Sequence, residues 1–132
     1  MANDILLNKI SIIERCINRV DEVYANNPEN LRNYTKQDSI ILNIQRAIEA
    51  TIDIAMYLVS EGKLGLPQSS RDAFELLYEN GKIDRDMLIK VNSMIGFRNI
   101  AVHNYQKINL NILQNIIENN LKDFNEFVDN II

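Results

Sequence analysis

Apolar side chains recur every third or fourth residue along most of this chain, and that spacing restricts it to helices. Ile41, Ile44, Ile48, Ile52, Ala55 and Val59 fall on one face at about 100° per residue, ending at Gly62. The same period predicts a first helix over about Asp4–Ala25, with Ile5, Ile12, Ile13, Cys16, Val20 and Val23 inward. Asn26-Asn27-Pro28-Glu29-Asn30 should stop it, because proline restricts the residue before it. Thr35 with Asp38 resembles a capping box opening the second helix, and Ser69 with Asp72 opens a short one that ends at Asn80-Gly81. Gly62, Gly65 and Pro67 form the loop between them. Asp84 caps a fourth helix carrying Leu88, Val91, Met94 and Ile95. A fifth, from near Asn109, carries Leu110, Leu113, Ile116, Ile117, Leu121, Phe124, Phe127 and Val128. No alternating run is bounded by hairpin turns, so strands have no support. The expected fold is all-α: a four-helix up-and-down bundle with an extra short helix in one connection.

The length, 132 residues, suits one domain spanning 1–132 with a real core. Hydrophobic residues at 46% and charged residues at 24% place it among globular proteins. The apolar stretch Ile52–Val59 is broken by Asp53 and far too short to cross a bilayer. Met1-Ala2-Asn3-Asp4 lacks the basic segment of a secretory leader, and the lone Cys16 allows no internal disulfide. The expectation is a cytoplasmic protein with Cys16 as a small buried apolar group. A formal charge of −4 and a pI near 5.0 argue against a nonspecific nucleic-acid coat, but not against an enzyme with a local cluster of cations.

Chemistry concentrates in Gly96-Phe97-Arg98-Asn99-Ile100-Ala101-Val102-His103-Asn104-Tyr105. Asn99 and His103, four apart, share a helix face. Arg98 and His103 are five apart and diverge by about 140° in an unbroken helix. Either the helix frays before His103, or the opposing group comes from a second subunit. Histidine titrates near neutrality and can give or take a proton; arginine offers a planar fork to two phosphate oxygens. RNA supplies its own nucleophile, the 2′-hydroxyl. A metal-free ribonuclease therefore needs a proton acceptor, a proton donor and a cation on the developing phosphorane. One histidine cannot be acceptor and donor at once, so a symmetric homodimer with two facing segments is expected.

Other signals are weaker. Glu49 and Asp53 share a face of the second helix and either orient Arg98 or His103 or are simply solvated. Arg15 and Arg19 are an RNA-facing edge or a solvated face. Tyr24, Tyr34, Tyr57 and Tyr78 read as packing residues with wet tips. No Glu-x-x-His occurs and His103 is the only imidazole, so no metal centre and no cofactor is expected. No Gly-rich phosphate loop or Ser-centred elbow is present.

Arg98, His103 and Tyr105 fill the pattern R-x-x-x-x-H-x-Y, and there the sequence resembles the HepT family of HEPN-domain toxins. Ala47–Ala55 with Leu58–Glu61 resembles the family's second helix, and Gly65-Leu66-Pro67 with Asp72-Ala73-Phe74 its middle connection. Met94–His103 resembles its fourth helix nearly throughout.

The resemblance implies a metal-independent endoribonuclease acting on transfer or messenger RNA, the toxin of a type II- or type VII-like toxin–antitoxin pair. It implies a homodimer that brings two motif copies to one cleft, and a minimal nucleotidyltransferase as cognate antitoxin. It also implies adenylylation (AMPylation) of the motif tyrosine, here Tyr105. Arg98 and His103 are then the expected catalytic residues, with Asn99 and Tyr105 supporting. The alternative is a non-catalytic helical module that only partners the nucleotidyltransferase.

Overall fold

A computed structural model describes residues 2–132, with side chains from Asp4 onward. Its helices are α1 (Ala2–Tyr24), α2 (Tyr34–Glu61), α3 (Ser70–Glu79), α4 (Arg85–His103), α5 (Leu110–Asn115) and α6 (Lys122–Ile131). Short 3₁₀ turns cover Pro28–Arg32 and Tyr105–Lys107, and no strand occurs among the described residues. Antiparallel α1 and α2 pack along each other; α4 and the α5–α6 line complete the bundle, and α3 is the extra short helix between α2 and α4. This is the expected all-α architecture.

The predicted stripe of α2 supplies the centre of the core. Ile41, Ile44, Ile48, Ala55 and Val59 are buried, with Ile40 and Ile54 beside them, whereas Ile52 is only partly covered. Phe74 of α3 meets Phe127 of α6 edge-on, ring centroids 5.8 Å apart at 75°, a geometry that aromatic quadrupoles favour. Thr51, buried in mid-helix, satisfies its hydroxyl on the Ala47 carbonyl at 2.8 Å.

Three local expectations change. The first helix ends at Tyr24 because Ala25 and Asn26 turn left-handed (φ +51° and +54°); Pro28 then opens a 3₁₀ turn instead of stopping a helix. The cap of α2 is Asn33, whose Oδ1 accepts from the Lys36 amide at 3.0 Å, so Thr35 and Asp38 do not form a capping box. The last helix is not uniform, because a π-turn over Ile116–Asn120 separates α5 from α6. That turn brings Glu118 to the hydroxyl of buried Tyr24, which donates to it. The Ser69 and Asp84 caps form as expected, the next helix starts after Asn109 as expected and is capped by its side chain, and Gly81 (φ +74°) follows α3.

Lys90 pins α4 to α6. Its ammonium sits 2.9 Å from Asp86 and 3.1 Å from Glu126, with the carboxylate of buried Asp123 at 4.0 Å. Its hydrogen bonds to the Asp86 and Glu126 carboxylates hold the lysine charged well beyond its ordinary range. The helix that carries the motif is thereby fixed in position.

The cap assignment predicts that Asn33→Ala costs about 1 kcal/mol in urea unfolding, while Thr35→Ala stays within about 0.5 kcal/mol. The reverse order would restore Thr35 as the cap.

Candidate functional site

Helix α4 starts on the Asp84 side chain, which accepts from the Met87 amide at 2.8 Å, and continues unbroken through His103. It closes on Asn104, whose amide donates to the Ile100 carbonyl at 2.8 Å. The fraying route is therefore not taken. Arg98 and His103 leave the helix on different sides, about 140° apart, and within one chain they do not converge.

Each motif side chain has a distinct setting. The Arg98 guanidinium donates through Nε to Glu49 Oε2 of α2 and through Nη1 to Asn99 Oδ1, both at 3.3 Å. Glu49 thus orients the arginine, whereas Asp53 turns away to Lys9 at 2.9 Å. The Arg98–Glu49 pair is about one-third exposed on both sides. A pair that open contributes at most about 1 kcal/mol, so a phosphate can displace the carboxylate. The imidazole of His103 is exposed, with no hydrogen-bond partner among the described residues.

Tyr105 opens the 3₁₀ turn after α4, and its hydroxyl donates to Asp38 Oδ1 on α2. Burial, then the hydrogen bond and negative charge of Asp38, push the phenol's pKa from 10.0 up to about 12. Asp38, Leu42, Gln45 and Glu49 are spaced four, three and four along α2 and share a face. That face therefore holds both the phenol and the guanidinium of the motif. Sequence reasoning considered Asp38 only as a capping residue; pairing across 67 positions leaves no local signal.

Arg71, another residue without a sequence signal, reaches from α3 to donate to the Asn92 carbonyl at 3.3 Å. Its guanidinium lies over Gly96, where a β-carbon would stand 3.8 Å from Nη2. Asn92, Gly96, Asn99 and His103 form one stripe of α4 (steps of four, three and four). A second cation therefore lies on the same stripe of α4 as the imidazole, about two turns before it. Leu42, Ile100 and Val102 around the motif are each 42% exposed, and Tyr105 38%.

The remaining candidates are structural. Arg19 pairs with Glu22 at 3.5 Å on an open helix surface. Cys16 is buried, and burial pushes its thiol up. Tyr34 is 79% exposed and is not a packing residue, contrary to expectation. A groove of about 520 Å³ between α4 and the α5–α6 line includes none of the motif residues. No group of three or more potential metal ligands occurs among the described residues. Nor is any described helix long and apolar enough to cross a membrane.

The family model for ribonuclease HepT-like proteins matches residues 13–131. The chain belongs to that family. A Shewanella oneidensis mRNA nuclease HepT is 46% identical over 127 residues, 96% of both chains. A chain from a crystal structure of a toxin–antitoxin with AMP-PNP superposes with a TM-score of 0.93 at 45% identity, covering 97% of both chains. A tri-AMPylated Shewanella oneidensis HEPN toxin in complex with MNT antitoxin gives 0.91 at 46% identity, covering 97% of this chain and 96% of that one. The HepT-like fold is therefore shared over nearly the whole chain, including α4 with Arg98 and His103 and the turn after it with Tyr105.

The raised phenol has a measurable consequence. Its contribution to stability is present below pH 10.0, the ordinary value, and is lost as the pH rises through about 12. The absorbance difference between wild type and Tyr105→Phe should show one phenol ionising near 12. Asp38→Asn should bring it down toward 10.0. An unchanged titration in Asp38→Asn would remove Asp38 as a cause.

Proposed function

We propose that this HepT-like chain is the endoribonuclease toxin of a toxin–antitoxin pair. It cuts messenger or transfer RNA without a metal by attack of the RNA's own 2′-hydroxyl. The observation that carries the reading is the end of α4: a guanidinium held by a partly exposed carboxylate and the neighbouring Asn99 carboxamide, and an exposed imidazole beyond it, with a second arginine about two turns back on the same stripe. Kinship with an mRNA nuclease and with toxins solved alongside antitoxins supports it.

Arg98 leaves Glu49 for the scissile phosphate and steadies the charge that grows on its oxygens. Asn99, already touching the guanidinium, orients it or donates to a phosphate oxygen. His103 moves the proton. One imidazole cannot both take the 2′-hydroxyl proton and protonate the leaving 5′-oxygen in a single step, so two copies face each other across a two-fold axis. The divergence of Arg98 and His103 on an unbroken helix supports this, and so do exposed Leu42, Ile100 and Val102, apolar surface that a second copy would cover. An open surface also suits a polymer better than a small molecule.

A minimal nucleotidyltransferase acts as antitoxin, and Tyr105 is the residue it modifies, as the tri-AMPylated relative suggests. An adenylyl group there places negative charge and bulk next to the motif and competes with the RNA phosphate for Arg98. The type II or type VII label turns on whether capture or this modification does the silencing.

His103→Ala should lower RNA cleavage by about 10²–10⁴-fold and abolish growth arrest on expression. Wild-type products should end in a 2′,3′-cyclic phosphate, and chelation with EDTA should leave the rate unchanged. A fully active His103→Ala protein removes the catalytic assignment and leaves a non-catalytic partner of the nucleotidyltransferase. Loss of activity in EDTA removes only the metal independence.

A further inference from the structure

The proposed cleavage step needs neither the Tyr105 hydroxyl nor Asp38 to move a proton, so it does not explain the contact between them. Yet it is specific. The hydroxyl of a 3₁₀ turn at one end of the motif reaches a single carboxylate oxygen on another helix. Tyr105 as a residue is 38% exposed, so the turn that carries the phenol lies at the surface, where a partner can reach it. Asp38 itself is exposed and makes no salt bridge among the described residues, so its charge is not spent elsewhere.

We propose that Asp38 is the general base of the toxin's own silencing: it accepts the Tyr105 phenol proton as an adenylyl group is transferred to that oxygen. This rests on the reading of Tyr105 as the modified residue. Tyr105 Oη attacks the α-phosphorus of ATP supplied with magnesium by the nucleotidyltransferase. The new O–P bond forms as the bond from that phosphorus to the bridging oxygen breaks, and pyrophosphate leaves. The phenol proton passes to Asp38 Oδ1 and from there to water.

Two physical points favour a base supplied by this chain. A phenol whose proton is held as tightly as this one is un-ionised at neutral pH and a weak nucleophile, so its proton must leave in the transition state. A carboxylate already on that hydrogen meets the geometric requirement for a base before the antitoxin arrives. There is also a structural consequence. The adenylylated oxygen has no hydrogen to donate, so modification breaks the tether between the Tyr105 turn and α2. Modification thus loosens the motif as well as blocking it.

The test uses the full-length toxin with its cognate nucleotidyltransferase, α-labelled ATP and magnesium, reading AMP on the Tyr105 peptide by mass. Asp38→Asn retains an oxygen that can accept the phenol's hydrogen bond but cannot take its proton. It should slow labelling about 10²-fold, with KM for ATP unchanged and with native circular dichroism. Asp38→Ala, which loses the tether too, should be at least as slow, and Asp38→Glu should recover part of the rate. If Asp38→Asn labels at the wild-type rate while Asp38→Ala is slow, Asp38 is a tether only and the base assignment is overturned. If both label normally, the whole inference is overturned. Undiminished labelling of Tyr105→Phe would instead overturn the choice of Tyr105 as acceptor, a distinct failure.

Discussion

A straight α-helix leaves little freedom in where its side chains point, and α4 is held straight across the whole motif. Asp84 fixes its first turn, Lys90 ties its middle to Asp86, Asp123 and Glu126, and Asn104 closes its last turn onto Ile100. Breaking it before His103 would cost backbone hydrogen bonds with nothing in the structure to replace them. The angle between Arg98 and His103 is therefore a fixed property of the chain. Any chemistry needing a guanidinium and imidazoles together on one phosphate must be assembled from more than one copy.

The other half of the arrangement belongs to α2. Its buried stripe forms the centre of the core, and a separate face presents Asp38 and Glu49 to the motif. These acids act on opposite chemistries. Glu49 occupies a cation that the proposed reaction gives to RNA, and Asp38 holds a phenol that the proposed silencing consumes. The Arg98–Glu49 pair is open enough to be released within a working cycle, and the Tyr105–Asp38 contact ends once the phenol oxygen is modified. The acidic net charge fits this reading: Glu49 satisfies Arg98 in the free protein, and a substrate phosphate replaces it locally.

Much of the fold was legible because helical periodicity and short-range caps are local signals. The α2 stripe, the Ser69 and Asp84 caps, the helix start near Asn109 and the stop at Asn80-Gly81 are written within a few residues of where they act. Misreadings arose where two local patterns competed. Asn33 outcompeted Thr35 as a cap, and Ala25 with Asn26 turned the chain before Pro28 could. The π-turn at Ile116–Asn120 has no apolar signature, because the stripe continues through it. Within the site, the pattern of Arg98, His103 and Tyr105 was visible, and so was Glu49 as one choice of two. Asp38 on Tyr105 and Arg71 over Gly96 were not, because tertiary packing alone creates those contacts.

The central claim is that two imidazoles serve one cleft, and mixed assemblies test it most directly. Wild-type and His103→Ala chains are unfolded together, refolded at graded ratios, and assayed on RNA at constant total protein. If both copies of His103 are needed at one phosphate, activity follows the square of the wild-type fraction, leaving about one quarter at an equal mixture of a two-fold assembly. Activity that falls in simple proportion, to about one half at that mixture, would mean that each chain works alone.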